Sequence, residues 1–423
     1  MRELFWGSAL FIAYVYVGYA VLLLLWARAV RAGRAHRQHA GANLQANGAG
    51  GYELPSVSII IAARNEARRL PARIENLLAL DYPADRRQII VVSDGSHDDP
   101  ASALARFGDR VRLLEVPPAG KAVALNAGAR SATGDILVFA DARQTFAPDA
   151  LRRLTAPLAD PNVGGVSGEL ILGAEGATGR RSRAQRRVRS NAERMDHDRR
   201  VSDRRIGSTV GDGVGFYWKY EKLLRRLETE IGSMLGATGA IYALRRSLWR
   251  PLPPGAILDD VLAPMRAVLA GRRIVFEPAA RAFDYTSRDS VAESRRKIRT
   301  LAGNVQILWF EPRLLVPFLN PVWLQYSSHK VGRLLVPYAL MALFASSIVL
   351  SGTSLIYAFA LFVQVAFYLQ GGYGAWLEHR MDVAPQDRSL VQRMGGVAFT
   401  IVVMNVSAVA GTGAALFGRK VWR

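Results

Sequence analysis

Apolar residues fall along this chain in two rhythms. Near the two ends they form long unbroken runs, and in the middle they form short β-branched clusters set off by polar turns. Residues 4–26 carry no charge and are long enough to cross a hydrocarbon core of ~30 Å as a helix. Trp6 and Trp26 stand at the two ends of that run, where interfacial aromatics belong. The run is too long for a signal-peptide core and ends in Trp-Ala-Arg-Ala-Val-Arg, with no clean small-residue cleavage site. A retained N-terminal span over 1–30 is therefore expected. Residues 334–350, 354–369 and 395–417 give three more candidate spans within 331–423, the first two at the short end of the spanning range. Residues 314–326 are apolar but broken by Pro317 and Pro321, which predicts a segment lying along the membrane surface within 311–330.

Between the ends, residues 55–310 alternate strands with helices. Short runs at 57–62, 88–92 and 136–140 read as strands, and 71–80 and 101–107 read as helices. That alternation predicts an α/β fold with a mostly parallel sheet covered by helices on both faces. In such sheets ligands gather at the carboxyl ends of the strands, so the residues just past each strand carry the chemistry.

Charge changes the picture in one respect. The chain has 55 Lys+Arg against 35 Asp+Glu, a formal net charge of +20, which predicts a polyanionic partner. The apolar runs favour membrane lipids in that role over nucleic acid. Arg28, Arg31, Arg34 and Arg37 follow the first span and place the next segment in the cytosol. A polar linker fills 31–54. Four spans would leave the C-terminus outside, although Arg419, Lys420 and Arg423 favour the inside. An arginine-rich insertion at 176–210 has little to bury and reads as a solvated segment, or as a tether to anionic head groups. With no cysteine anywhere, disulfides, thiolate metal sites and cysteine nucleophiles are excluded.

The strand ends are acidic. The first leads into Ala63-Arg64-Asn65-Glu66, the second into Ser93-Asp94-Gly95-Ser96-His97-Asp98-Asp99, and the third into Asp141-Ala142-Arg143. Carboxylates meeting in one crevice repel unless a cation or ligand hydroxyls compensate. Asp98 or Asp99 can cap the helix that follows, and Asp98 is the one expected to do so; Asp94 and Asp141 precede turns and have no capping role to play.

These stretches, with Gly120-Lys121-Ala122, Gly236-Ala237-Thr238-Gly239 and Leu258-Asp259-Asp260-Val261 in the same order, resemble the membrane-bound branch of family 2 glycosyltransferases. The resemblance extends to bacterial polysaccharide synthases. It covers about 55–310 and implies a GT-A fold on the cytosolic side of about four transmembrane helices, in an integral inner (plasma) membrane protein. It further implies a nucleotide-sugar donor, UDP-linked, and a glycan or lipid-linked acceptor. Ala63, Glu66 and Asp94 would lie at the nucleotide, and Lys121 and Arg299 at the diphosphate. Asp141 would hold Mg2+ or Mn2+ against the donor, and Asp260 would be the catalytic base of an inverting displacement. Asp259 is a weaker candidate at the acceptor. Trp218 and Tyr220 could stack on an acceptor sugar or pack at the membrane boundary.

Three departures qualify that pattern. The second motif has one acid, Ser93-Asp94, where the family usually has two. Arg143 replaces the usual second acid of the metal motif. The segment Arg296-Lys297-Ile298-Arg299-Thr300 keeps an arginine but lacks the Gln and Trp of processive synthases, which puts processivity in doubt. The competing reading is a non-catalytic nucleotide-sugar sensor or a subunit of an export complex.

Overall fold

A β-branched run buried on both faces opens the central domain. In this computed structural model, which describes residues 1–41, 53–172, 209–284, 290–380 and 389–416, that run is β1 (Val57–Ala63). It is followed by α3 (Leu70–Leu78), β2 (Arg87–Asp94), α4 (Pro100–Leu104), β3 (Arg112–Val116), α5 (Lys121–Ser131) and β4 (Ile136–Ala140). Then come β5 (Thr145–Phe146), α6 (Ala150–Thr155), β6 (Val163–Leu172), α7 (Thr209–Ile231), β7 (Ile241–Arg245), α8 (Asp259–Leu269), β8 (Arg273–Asp284) and α9 (Ser290–Phe310). The eight strands form one sheet in the order β3-β2-β1-β4-β7-β6-β8-β5. The β3-β2-β1-β4 half is parallel, as the alternation predicts. In the other half β7 runs antiparallel to β4 and β6, and β6 returns to parallel pairing with β8.

Helices cover both faces of this sheet. On one, Leu70, Ile74 and Leu77 of α3 and Leu151 and Leu154 of α6 pack on Ile59, Ile61 and Val138. On the other, α5 and α8 pack on Ile60, Val92 and Phe139. The α5 face is built of alanine and glycine because the helix lies close to β1. A Cβ on Gly128 would come within 2.5 Å of Ile60.

The ends are helical too. α1 (Arg2–Ala13) runs through a π-helical turn, Tyr14–Gly18, into α2 (Tyr19–Gly41). Beyond the domain come α10 (Trp323–Tyr326), a second π turn at Ser327–Val331, and α11 (Gly332–Leu350). They are followed by α12 (Leu355–Arg380) and α13 (Leu390–Leu416). Among the described residues, four stretches are long and apolar enough to cross a membrane: Arg2–Gly33, Trp323–Leu350, Leu355–Leu377 and Leu390–Ala415. The second and third run longer than their sequence limits, because helix continues through the polar Ser327–Val331 and past Leu369. The Arg-rich stretch 176–208, the linker residues 42–52 and the basic tail from 417 lie outside the described residues.

Residues 311–322 connect α9 to α10 and present a cluster of bare apolar side chains. Phe318 is 97% exposed, and Leu315, Val316 and Leu319 are exposed beside it. Glu311, buried at the base of this connection, bonds Arg266 of α8 at 3.2 Å and Arg313 at 2.6 Å.

Candidate active site

The loops after β1 and β2 are laced together by hydrogen bonds of their own. Asn65 accepts from the His97 backbone N–H at 3.0 Å, and its own N–H donates to the Ser96 hydroxyl at 3.1 Å. Its φ of +54° is one that asparagine tolerates better than most residues. Asp98 accepts from the Ala67 N–H at 2.7 Å, so it clamps the two loops and does not cap a helix as the sequence suggested. The cap is Asp99, whose carboxylate accepts from Ser102 N–H at 3.1 Å. The difference is one residue of register: Pro100 opens the helix, so the cap position falls immediately before it.

Asp94 is buried at the end of β2. Its Oδ1 accepts from the Ala119 and Gly120 N–H groups at 2.7 and 3.0 Å, and its Oδ2 from Gly120 at 3.0 Å. It therefore shapes the loop that leads to Lys121. Gly95, at φ +59°, lets Pro118 close over this turn; a Cβ there would sit 2.7 Å from the proline ring. Ala63 is buried at the end of β1, alongside Ser93. Glu66 stands on the rim and bonds Arg69 at 2.5 Å.

Lys121, the first residue of α5, reaches into a group of carboxylates. Its Nζ lies 3.3 Å from Asp141 Oδ1 and 3.2 Å from Asp259 Oδ1. Burial alone would lower its pKa; Asp259, Asp141 and Asp260 outweigh that and hold it above the ordinary lysine value. Asp259 is buried and accepts a long bond of 3.4 Å from the Tyr242 hydroxyl. Asp260, next on the first turn of α8, accepts from the Gly239 N–H at 3.0 Å through Oδ2. Its backbone carbonyl takes the Ala237 N–H at 2.6 Å. A Cβ on Gly239 would stand 2.9 Å from that Oδ2, so glycine is what lets the amide reach the carboxylate. Burial first, and the neighbouring Asp259 second, push the Asp260 carboxyl up to about 6.

Arg143 turns away from this group. It bonds Asp284, at the end of β8, with Nη2 at 2.6 Å and Nε at 3.1 Å, and Gln144 adds a third bond at 3.1 Å. Asp284 escaped the sequence reading, although the strand-end rule that picked out Asp94 and Asp141 applies to it equally. Asp141 is then the one carboxylate of its motif facing the crevice. Among the described residues no group of three or more His, Cys, Asp or Glu is placed to hold a metal. A divalent ion fits here through Asp141 only if donor phosphates and water complete its oxygen shell.

Arg299 is exposed on α9, one helical turn before Gly303, whose backbone lies against Leu258 just ahead of the acidic pair. Tyr220 is drawn elsewhere. Its hydroxyl donates to the Tyr16 carbonyl at 2.9 Å, within the π turn between α1 and α2, and Arg333 stacks on its ring at 5.7 Å. Trp218 falls outside the residues whose side chains are described.

Known proteins resemble this chain. The model of the family "Glycosyl transferase family 2" matches residues 58–227. An N-acetylglucosaminyltransferase of Bradyrhizobium elkanii is 32% identical over 127 residues, 29% of this chain and 69% of that protein. The probable glycosyltransferase YdaM of Bacillus subtilis is 26% identical over 267 residues, 60% of this chain. The chain spans 57% of the length of that relative. In fold, the mannosyltransferase PcManGT of Pyrobaculum calidifontis, solved with GDP-Man and Mn2+, superimposes with a TM-score of 0.59 at 20% identity. The superposition covers 95% of this chain and 98% of that one.

Proposed function

Because this chain belongs to glycosyl transferase family 2, we propose that it moves a sugar from a UDP-linked donor to a glycan or lipid-linked acceptor at the cytosolic face of the membrane. The observation that carries this reading is Lys121 held between Asp141 and Asp259, with Asp260 beside them at the carboxyl end of the sheet. Asp260 takes the proton of the acceptor hydroxyl as that oxygen bonds to the anomeric carbon. The bond from that carbon to the diphosphate breaks in the same displacement, and the nucleoside diphosphate leaves. A base close to neutrality in pKa suits this step. Lys121 supplies positive charge to the leaving diphosphate, and in this reading Arg299, exposed on α9, adds a planar, bidentate clamp.

Mg2+ or Mn2+, bound through Asp141 and the donor itself, would neutralise charge on the departing nucleotide. The bare Phe318 cluster supports seating residues 311–322 in the bilayer surface, with the four apolar helices crossing it.

Two measurements test this. Purified full-length protein in detergent should release nucleotide from a UDP-sugar in a panel of UDP- and GDP-sugars offered with glycan and lipid acceptors. Sizing the labelled product should give single or short additions, since the 296–300 segment lacks an aromatic platform. Silence across the whole panel would remove the transferase reading, and long polymer would establish a synthase. Excess chelator, or Asp141→Ala, should abolish turnover and weaken nucleotide binding in the presence of metal. Full activity in chelator would mean that Lys121 and Arg299 carry the leaving-group charge without a metal.

A further inference from the structure

The loop that holds Asp260 is itself held from the membrane side. Arg225, on α7, donates to the Thr238 hydroxyl at 2.8 Å. Thr238 is buried, and its own N–H donates to the Ser167 hydroxyl at 2.9 Å. The next residue is Gly239, whose amide binds the Asp260 carboxylate. Two bonds therefore separate a guanidinium on α7 from the base, and the intervening residues leave little room to relax. A Cβ on Gly239 has no space, and Gly236 needs a φ of +130°.

α7 is fixed in turn by a buried polar cluster. Glu228, one turn after Arg225, accepts from the Tyr19 hydroxyl of the first span at 2.9 Å and pairs with His329 Nδ1 at 2.7 Å. Glu221, one turn before Arg225, faces His329 Nε2 at 3.4 Å and bonds Arg333. Burial would raise the Glu221 pKa, but Arg333 and His329 hold it well below the carboxylate range, so it stays ionised. Leu224 and Leu227 on the same helix pack against Tyr19, Ala20, Leu23 and Ala27.

We propose that Arg225 is a positioning residue for Asp260, acting through Thr238 to fix the amide that orients the carboxylate. This inference rests on Asp260 being the base, and the test separates the two. Full-length Arg225→Met, Thr238→Val, the double variant and Arg225→Lys are compared with wild type in detergent. Hydrogen exchange, which needs no substrate, is followed in peptides covering 236–243 and 257–262. Turnover is followed with UDP-N-acetylglucosamine, or with whichever sugar nucleotide the release panel selects. Thr238→Val keeps the shape of the side chain and guards against a variant that merely fails to fold.

Both single variants should speed exchange at 236–243 while leaving β1 peptides unchanged. They should lower kcat by about tenfold to hundredfold, as small misplacements of a reacting group do, with donor KM moved by no more than about twofold. The double variant should be no worse than Arg225→Met alone, since the bond that Thr238→Val removes is already gone there. Arg225→Lys should recover part of the loss. Wild-type exchange and kcat in Arg225→Met, or additive losses in the double variant, would overturn the proposal. If Asp260→Asn stayed active, the base assignment would fall, while the exchange data would still decide whether Arg225 orders the loop.

Discussion

Replacing Asp260 by asparagine should reduce turnover by roughly 10²–10⁴-fold, the range that a general base contributes, and leave nucleotide affinity within a few-fold of wild type. The substitution keeps an oxygen for the Gly239 amide at 3.0 Å, so the loop has no reason to move. What disappears is the group proposed to accept the acceptor proton. Wild-type kcat/KM should fall as pH drops through about 6, because the carboxylate is then protonated and cannot act as a base. The position of that limb reflects burial and Asp259, which raise the pKa, against Lys121 and Lys330, which lower it. Residual activity of Asp260→Asn should lack the limb. Turnover near wild type in the mutant, or an unchanged acid limb, would take Asp260 out of the mechanism.

Lys121→Met should cost about 10²–10³-fold in kcat/KM for the donor, the scale associated with losing one preorganised donor to a developing charge. It should also lower the melting temperature. Asp259 is 6% exposed and would lose the ammonium 3.2 Å away, leaving a buried carboxylate paired only with a long bond from Tyr242. The two effects separate experimentally. Thermal unfolding without ligand reports the carboxylate cluster, and nucleotide titration reports the diphosphate contact. A mutant that melts like wild type and binds UDP equally well would show that Lys121 serves neither.

How far these sites could be foreseen depended on the distance, along the chain, between partners. Ile136–Ala140 forms a strand with the limits its β-branched run suggests, and β1 and β2 begin within one residue of expectation. Local hydropathy suffices for such elements, and the strand-end rule then brings Asp94, Asp141 and, through α8, the Asp259-Asp260 pair to one crevice. It does not say what each acid touches. Asp94 spends its oxygens on Ala119 and Gly120, and Arg143 finds Asp284 across 141 positions of sequence. Tyr220 is the clearest case. Its aromatic neighbours suggest either sugar stacking or membrane packing, and neither reading names the carbonyl 204 positions away that its hydroxyl binds. Only the folded chain brings the π turn at Tyr14–Gly18 within reach of that hydroxyl. The antiparallel pairing of β7 depends likewise on contacts that no periodicity encodes.

The contact between Glu311 and Arg266 turns the acidic helix into a measuring device. Arg266 belongs to α8, two turns after Asp260, and Glu311 anchors the connection that carries Phe318. If Phe318 sits among acyl chains, as proposed above, the altitude of Asp260 over the lipid surface would be set by the protein. An acceptor would then have to present its hydroxyl at that altitude, whatever the length of the chain behind it. Spacer length between lipid anchor and first sugar would become a selection rule, enforced by geometry before any sugar is recognised. Thinner or thicker bilayers should shift which acceptors are served, because they move the anchor while the carboxylate stays where the protein holds it.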